Sequence, residues 1–259
     1  CPILGQRMMN QGTNSTMVAV SSLVAMGNVG LSAIIPAIGF ASVRPCPTIM
    51  LNHHPGLGPT VGSSSDTTCL GAMVRDGLFG LEAAPAKLML TGYFAHAEQV
   101  KIVAKLIREW KAQDPTRIYV CDPVMGDDHT GLYVGKDIAQ ALVEELVPQA
   151  DHLTPNYFEW SMIRNTLASH AHVAITSTAE TNMLHAELLH EGQVIAGRDA
   201  GRQDHAPQGL GDAFAGLYGW GLIHGDKANQ AFDRAFAKIQ DILHLSGRGP
   251  HLNFPGHLN

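Results

Sequence analysis

One short stretch of this chain combines glycines, a carboxylate and a run of small residues. Residues 209–216 read Gly-Leu-Gly-Asp-Ala-Phe-Ala-Gly, which predicts a tight turn opening into a helix. The N–H groups of such a turn and the positive end of the helix dipole favour an anion such as phosphate. Asp212 would repel phosphate, but it could take a proton from a hydroxyl that attacks phosphorus. The structural alternative is that Asp212 only caps the helix or balances its dipole.

A second set of polar residues has the chemistry of a magnesium site. Asp122 follows an apolar stretch and is fixed by Pro123, and Asn156 and Glu159 stand three positions apart at a predicted helix start. Carboxylate and amide oxygens suit a hard cation such as Mg²⁺, held partly through water. Phosphoryl transfer needs this kind of charge neutralisation. The alternative is a capping box, in which Asn156 caps the helix and Glu159 is its partner.

Alternating strands and helices must position these residues. The predicted strands cover residues 17–21, 43–51, 87–90, 118–121, 152–154 and 173–176, followed by a hairpin of 183–190 and 193–196. The predicted helices cover residues 27–39 with their glycine turn, 66–79, 95–112, 136–147, 157–167, 213–223 and 227–245. From residue 247 the chain is expected to be loose. The alternation predicts one α/β domain with a mainly parallel central sheet and helices on both faces.

In a parallel sheet, ligands bind beyond the carboxyl ends of the strands. Polar residues are predicted at those ends, namely Ser21, Ser22, Tyr93, Asp122, Asn156, Glu159, Thr176, Ser177 and Asp212. One edge of the sheet therefore collects the residues that could do chemistry.

Composition limits the class of protein. The chain has 259 residues, a net charge of -6 and no basic run, which argues against a nucleic-acid surface. No apolar stretch reaches the length of a membrane span. Residues 1–16 are expected to be a disordered or artificially added leader before a single domain at 17–259. The four cysteines form no Cys-x-x-Cys pair and the 14 histidines lack zinc-ligand spacing, which favours a reducing cytoplasm and structural or solvated histidines.

The order and spacing of several segments resemble those of the pyridoxal kinase family of the ribokinase-like superfamily. The segments are residues 20–30, Thr48 with 52–58, 91–93 with 97–99, 121–127, 153–159 and 209–216. They include Thr-Gly-Tyr at 91–93, Cys-Asp-Pro-Val-Met-Gly-Asp at 121–127 and Leu-Thr-Pro-Asn-Tyr-Phe-Glu at 153–159. The resemblance implies a single ribokinase-like domain that phosphorylates the 5′-hydroxymethyl group of pyridoxal, pyridoxine or pyridoxamine with ATP.

The resemblance also implies roles for individual residues. Asp212 would be the base, and the N–H groups of residues 209–211 would hold the developing charge on the phosphoryl group. The implied contacts are Gly209, Leu210 and Gly211 for that charge; Ser22, Thr48 and Tyr93 for the vitamer; Asp122, Thr154, Glu159, Thr176 and Ser177 for ATP; and Asp122, Asn156 and Glu159 for magnesium. The resemblance further implies a homodimer, and it leaves open a monovalent cation such as K⁺.

Four departures from the family pattern keep alternatives open. Leu210 replaces the usual threonine, the turn at residues 26–31 and the segment at 52–58 differ on the substrate side, and the crossover at 160–171 is short. One alternative is a hydroxymethylpyrimidine kinase of thiamine synthesis, although the Ser-Ser-Leu-Val at 21–24 fits the pyridoxal pattern better. The other is a non-catalytic protein that binds B6 vitamers, against which the retained Asp212 argues.

Overall fold

A nine-stranded sheet forms the centre of the fold. The computed structural model describes residues 16–39, 43–81, 84–176, 183–202, 207–247 and 251–255. The strands of the described residues, in chain order, are β1 (Met17–Met26), β2 (Val43–His53), β3 (Gly62–Ser64), β4 (Leu88–Thr91), β5 (Ile118–Cys121), β6 (Gly126–Asp127), β7 (Gly131–Leu132), β8 (His152–Leu153), β9 (His172–Thr176), β10 (Met183–His190) and β11 (Gln193–Arg202).

The sheet has the order β11-β10-β9-β8-β5-β4-β1-β2-β3, and β6 pairs with β7 in a separate small hairpin. All neighbours from β2 across to β9 are parallel. Strand β3 at one end, and β10 and β11 at the other, run antiparallel to their neighbours. The predicted mainly parallel sheet is confirmed, and the carboxyl ends of its six parallel strands lie at one edge.

Helices cover both faces of the sheet, as predicted. They are α1 (Leu31–Ile38), α2 (Thr67–Phe79), α3 (Ala97–Gln113), α4 (Lys136–Ala141), α5 (Tyr157–Ile163), α6 (Leu210–Ile223) and α7 (Ala228–Ser246). Helix α4 continues through a π-turn at Leu142–Leu146 and a 3-10 turn at Val147–Gln149, and another 3-10 turn lies at Pro55–Leu57. Two hydrophobic cores result, one between the sheet and α2–α5 and one between the sheet and α1, α6 and α7.

Local sequence explains where several elements begin and turn. Helix α2 starts at Asp66, whose carboxylate accepts hydrogen bonds from the N–H groups of Thr68 (2.9 Å) and Cys69 (3.2 Å). The turn between β10 and β11 has positive φ at both Glu191 (51°) and Gly192 (73°), as a two-residue hairpin loop requires. The predicted cap and the predicted hairpin turn are therefore confirmed.

Some predicted bounds are wrong. Helix α5 ends at Ile163 rather than at residue 167, and α6 begins at Leu210 rather than at 213. Strand β11 runs to Arg202, beyond the predicted end at 196, because it pairs with β10 along that strand's whole length. Strands β3, β6 and β7 were not predicted, since two or three residues show no periodicity.

The expectation of a loose tail is wrong for residues 251–255. Leu252 is 4% exposed and belongs to the core beneath α6 and α7. Its N–H donates to the side-chain oxygen of Asn28 at 3.1 Å, and the N–H of Asn253 donates to Ser246 at 2.8 Å. This segment therefore joins the end of the chain to the turn after β1.

The predicted leader falls almost entirely outside the described residues. Residues 1–15 are among those that the structure does not describe, so the division at 16 and 17 stays a prediction. Within the described ranges, no helix combines the length and apolarity that crossing a membrane demands.

Candidate active site

The loop before α6 has a backbone that only glycine adopts without strain. Gly209 has a φ of 90°, and a Cβ built there would stand 1.5 Å from the carbonyl oxygen of Asn28. Gly209 is the N-cap and no side chain caps the helix, so the N–H groups of the first turn lack intrahelical partners. A Cβ on Gly211 would meet no atom within 4 Å. The loop therefore presents free backbone donors beside open space, which suits an anion.

Asp212 lies in the first turn of α6 and does not cap it. The alternative in which Asp212 is the helix cap is therefore wrong, because Gly209 occupies that position. Burial raises the pKa of Asp212 to about 6, and a hydrogen bond from the backbone of Gly30 opposes this rise. A carboxylate with a pKa near 6 is mostly ionised at neutral pH and is matched to proton transfer.

Asp122 lies at the carboxyl end of β5 among other acids. It is 6% exposed, and burial, then the charge of Glu159, then that of Asp212, raise its pKa well above its usual range. Thr154 is the neighbour that favours the charged form, and its buried hydroxyl has no hydrogen-bond partner within 3.5 Å. Repulsion between the buried Asp122 and Glu159 and the half-buried Asp212 favours a nearby cation.

Asn156 and Glu159 form the capping box that was the structural alternative. The side-chain oxygen of Asn156 accepts from the N–H of Glu159 at 2.9 Å, and Glu159 accepts from the N–H of Asn156 at 3.0 Å. Asn156 also donates to the carbonyl of Gly126 (2.8 Å), and Glu159 accepts from the N–H of Met125 (2.9 Å). These bonds tie the start of α5 to the segment that follows Asp122.

The pKa of Glu159 in this capping box is nevertheless unusual. Burial is the largest effect on Glu159 and raises its pKa to about 7, although three backbone hydrogen bonds favour its charged form. The side-chain oxygen of Asn156, the atom that could bind a cation, already accepts from the N–H of Glu159, so a cation nearby would meet Asn156 through water. Among the described residues, no three His, Cys, Asp or Glu side chains are arranged to hold a metal ion.

The predicted vitamer contacts lie on three neighbouring strands: Ser22 within β1, Thr48 within β2 and Tyr93 just after β4. The hydroxyl of Thr48 donates to the carbonyl of Tyr93 at 2.8 Å, and the N–H of Tyr93 donates to the hydroxyl of Ser21 at 3.1 Å. Ser22 is 8% exposed and lies against Gly30, where a Cβ would be 2.4 Å from its hydroxyl oxygen. Because Gly30 also bonds to Asp212, this group of residues adjoins the candidate base.

The predicted nucleotide contacts lie farther along the same edge. The N–H of Thr154 donates to the carbonyl of Cys121 at 3.1 Å, and Thr176 ends β9 beside Asn156. Ser177 lies outside the described residues. A cavity of about 660 Å³ borders the short crossover at the opposite edge, lined by residues such as Trp160, Arg164 and Leu189, and no predicted site residue lines it.

Sequence reasoning missed two residues at this site. Tyr133 follows β7, and burial together with the charges of Glu159, Asp122 and Asp212 raises its pKa. The residue is 46% exposed, so it lies at the open side of this acidic group, and no sequence pattern marks it. Gly30 was noted within the glycine turn and within the family-like segment at residues 20–30 but was given no role, and only the structure shows its φ of 57° and its bond to Asp212.

The fold and the chemistry at this edge together define a small-molecule kinase of the ribokinase-like class. The sequence matches the phosphomethylpyrimidine kinase family over residues 80–250. A pyridoxal kinase of Photobacterium profundum is 31% identical over 256 residues, which cover 88% of this chain and 86% of that protein. The chain therefore belongs to the pyridoxal kinases within this wider family, and it is a phosphotransferase.

Two solved structures show how widely the fold is shared. The pyridoxal kinase of Entamoeba histolytica superposes with a TM-score of 0.78 at 21% identity, covering 92% of each chain. The pyridoxal kinase of Leishmania donovani in complex with ADP and pyridoxine superposes with a TM-score of 0.75 at 22% identity, covering 90% of this chain and 87% of that one.

Proposed function

We propose that this protein transfers the γ-phosphoryl group of ATP to the 5′-hydroxymethyl group of pyridoxal, pyridoxine or pyridoxamine. The observation that carries the proposal is Asp212 in the first turn of α6, with its pKa raised to about 6, beside the uncapped loop at Gly209. A base and a backbone anion site in contact are the two parts that in-line phosphoryl transfer needs. The substrates named for the related kinases support the choice of vitamer.

The chain's own residues then divide the reaction between them. The vitamer rests against Ser22, Thr48 and Tyr93, and its hydroxyl gives a proton to Asp212 as the oxygen attacks the γ-phosphorus. The bond from that phosphorus to the β-phosphate oxygen breaks and ADP leaves. The backbone N–H groups of the 209–211 loop hold the charge that develops on the phosphoryl oxygens. Leu210 contributes its N–H to this set and no hydroxyl, so the donors are all from the backbone.

Magnesium fits the acidic part of the site. Asp122 and Glu159 are buried acids with raised pKa values, and the hydroxyl of Thr154 is buried without a partner, so a cation would relieve both conditions. Mg²⁺ commonly takes one or two carboxylates plus phosphates and keeps several waters. When bound, it neutralises phosphate charge. Asp122 would reach it directly, whereas Asn156 and Glu159 would act through water.

The nucleotide would extend from this acidic site along the sheet edge. Thr154, Thr176 and Ser177 are the residues proposed to lie beside it. A monovalent cation such as K⁺ could accompany the magnesium. Titration of ATP-dependent turnover with MgCl₂, in sodium and then in potassium buffer, tests both ions.

A homodimer and a cytoplasmic location complete the proposal. Met26, Met50 and Val61 are exposed apolar side chains on neighbouring parts of the sheet edge and offer a surface to a second copy. Cys46, Cys69 and Cys121 are all free thiols, as expected in a reducing compartment. Sedimentation of the purified chain tests the dimer, and cell fractionation tests the location.

The deciding experiment measures ADP release from MgATP with pyridoxal, pyridoxine, pyridoxamine and hydroxymethylpyrimidine offered separately. We expect turnover with the B6 vitamers and a loss of about 10²–10⁴-fold in Asp212→Asn, because a general base is removed. Asp241→Asn is the matched control, since that carboxylate is exposed on α7. A loss below about tenfold would remove Asp212 from the role of base.

Two other outcomes would change the function. Turnover with hydroxymethylpyrimidine alone would place the protein in thiamine synthesis. The matched family is named after phosphomethylpyrimidine kinase, which makes this alternative worth testing. Binding of pyridoxal without ADP release would indicate a non-catalytic vitamer-binding protein, and Leu210 would be the next residue to restore to threonine.

A further inference from the structure

Gln99 is a buried amide whose hydrogen-bonding groups are used on three sides. It lies in the first turn of α3 and is fully buried. Its side-chain oxygen accepts from the N–H of Ala95 at 3.0 Å. Its amide nitrogen donates to the carbonyl of Thr48 at 3.0 Å and to the carbonyl of Ser65 at 2.8 Å. Gln99 therefore joins three separate backbone segments at one point.

Those segments form the wall behind the proposed vitamer contacts. The carbonyl of Thr48 also accepts from the N–H of Ser65 (2.8 Å), and the hydroxyl of Ser65 donates to the carbonyl of Pro47 (2.5 Å). The hydroxyl of Thr48 donates to the carbonyl of Tyr93 (2.8 Å). A shift of the Thr48 backbone would therefore move the loop after β4 as well.

The chemistry of this junction requires an amide. Two carbonyl oxygens and one N–H group converge on a single buried side chain, so the side chain must offer two donors and one acceptor. The side chain of Gln99 offers these groups and is long enough to reach all three partners. A glutamate there would point an oxygen at one carbonyl or both, and an apolar residue would remove one hydrogen-bond partner from each of the three backbone groups. The hydrogen bonds of the Gln99 side chain go to Ala95, Thr48 and Ser65, and none of them involves Asp122, Asp212 or the loop at Gly209.

We propose that Gln99 is a positioning residue for the vitamer: it fixes Thr48 and the Tyr93 backbone, and so sets the affinity for the B6 substrate without affecting that for the nucleotide. This inference rests on the proposed function, because it uses the proposed vitamer contacts. The inference gives a role to the segment at residues 97–99, which takes no part in the proposed phosphoryl transfer.

The test is Gln99→Glu, which keeps the size of the side chain and removes one or both donors. We expect the KM for pyridoxal to rise by roughly tenfold, because the carbonyls of Thr48 and Ser65 lose a donor, while the KM for ATP stays within about twofold. Glu98→Gln is the matched control, since Glu98 is its exposed neighbour in the same turn and pairs only with Lys101 among the described residues. Its two KM values should equal those of the unmodified chain.

A pH profile separates positioning from a general loss of structure. The new carboxyl can donate one hydrogen bond when it is protonated and none when it is ionised. The ratio of variant to unmodified KM for pyridoxal should therefore shrink as the pH falls from about 8 to about 6, whereas a generally loosened protein would show no such recovery. Equal rises in both KM values, or a ratio independent of pH, would overturn the proposal.

Hydrogen exchange on the unmodified chain decides the case if the variant does not fold. Saturating pyridoxal should slow exchange at the N–H of Ala95 and in the peptide around Ser65, and a non-hydrolysable ATP analogue alone should not. The reverse pattern would contradict the proposal.

The proposed function can fail separately. If pyridoxal binds without turnover, the kinase function is wrong, and the dissociation constants of the two chains replace KM in the same comparison. If no B6 vitamer binds or reacts, both proposals are overturned.

Discussion

The carbonyl oxygen of Asn28 lies where a side chain on residue 209 would begin, 1.5 Å from a Cβ built on Gly209. The side chain of Asn28 meanwhile accepts a hydrogen bond from the N–H of Leu252 at 3.1 Å. The turn after β1 is thus held between the anion loop and the segment that follows α7. The shape of the anion loop therefore depends on the turn at Asn28, which Leu252 helps to hold in place.

Gly209→Ala should damage both stability and catalysis. The new methyl group would displace the Asn28 turn, and a φ of 90° is strained for alanine by about 1–3 kcal/mol. We expect a lower melting temperature and at least a tenfold loss of kcat. Gly211→Ala is the control for stability alone, because it has open space and gains about 0.5–1 kcal/mol in helix propensity. A stable, fully active Gly209→Ala would show that the loop tolerates another shape.

The rate of phosphoryl transfer should fall on the acid side of neutrality. A general base works in its ionised form, and burial raises the pKa of Asp212 to about 6. Measured as kcat/KM for the vitamer against pH, the rate should decline below about pH 6, by tenfold for each further unit. The residual activity of Asp212→Asn should lack this limb. A limb that persists in the variant would assign the titration to another group.

Asp122→Asn should stabilise the chain while it removes activity. The pKa of Asp122 is raised in the folded state, so the ionised carboxylate opposes folding at neutral pH. The stability of the chain therefore falls as the pH rises above 3.8, the ordinary pKa of an aspartate. A neutral side chain escapes this penalty, and we expect a gain of about 1 kcal/mol in the free energy of unfolding. Denaturant unfolding without Mg²⁺ measures it.

Magnesium should reverse the stability difference between the unmodified chain and Asp122→Asn. Addition of MgCl₂ with ATP should raise the melting temperature of the unmodified chain more than that of Asp122→Asn, because the carboxylate is the proposed ligand. Asp241→Asn again serves as the control, since it changes one exposed ion pair with Lys238. Equal shifts in all three proteins would remove Asp122 from the magnesium site.

The sequence was sufficient for the layered architecture and the location of the chemistry. Strand β5 was predicted with the bounds that the structure shows, and α3 within two residues, because both have uninterrupted apolar patterns. The rule for parallel sheets correctly brought Asp122 and Asp212 to one edge, where the charge of Asp212 helps to raise the pKa of Asp122. Periodicity and topology are encoded locally, so they can be read without coordinates.

The rest depended on contacts between distant segments. The spacing of Asn156 and Glu159 fitted both the capping box and the magnesium hypothesis. The reciprocal bonds between the two residues reveal the capping box, and the bonds to residues 125 and 126 tie it to the segment after Asp122. Tyr133 lies near the acids because it directly follows the short hairpin of β6 and β7. The helix end at residue 163 was missed, since apolar spacing continues after the helix stops.

The histidines of β8, β9 and β10 are also brought together only by contacts between distant segments. His152, His172 and His190 look scattered in sequence, but strand register stacks their rings, with centroids 5.1 Å and 4.0 Å apart. His152 also contacts the hydroxyl of Tyr218 at 2.8 Å. Burial, followed by the neighbouring charges of His172, Lys111, His190 and His170, lowers the pKa of His152 to about 3.

This stack should make stability depend on pH. Between about 3 and the ordinary value of 6.5, the unfolded chain binds a proton at His152 that the folded chain does not, so stability rises with pH by up to about 1.4 kcal/mol per unit and the gain is complete above 6.5. His152→Asn removes the titrating group and should flatten the free energy of unfolding against pH by up to that amount. His244→Asn, on the exposed side of α7, should leave the slope unchanged. If both variants keep the slope of the unmodified chain, the acid sensitivity arises from carboxyl groups rather than from the stacked histidines.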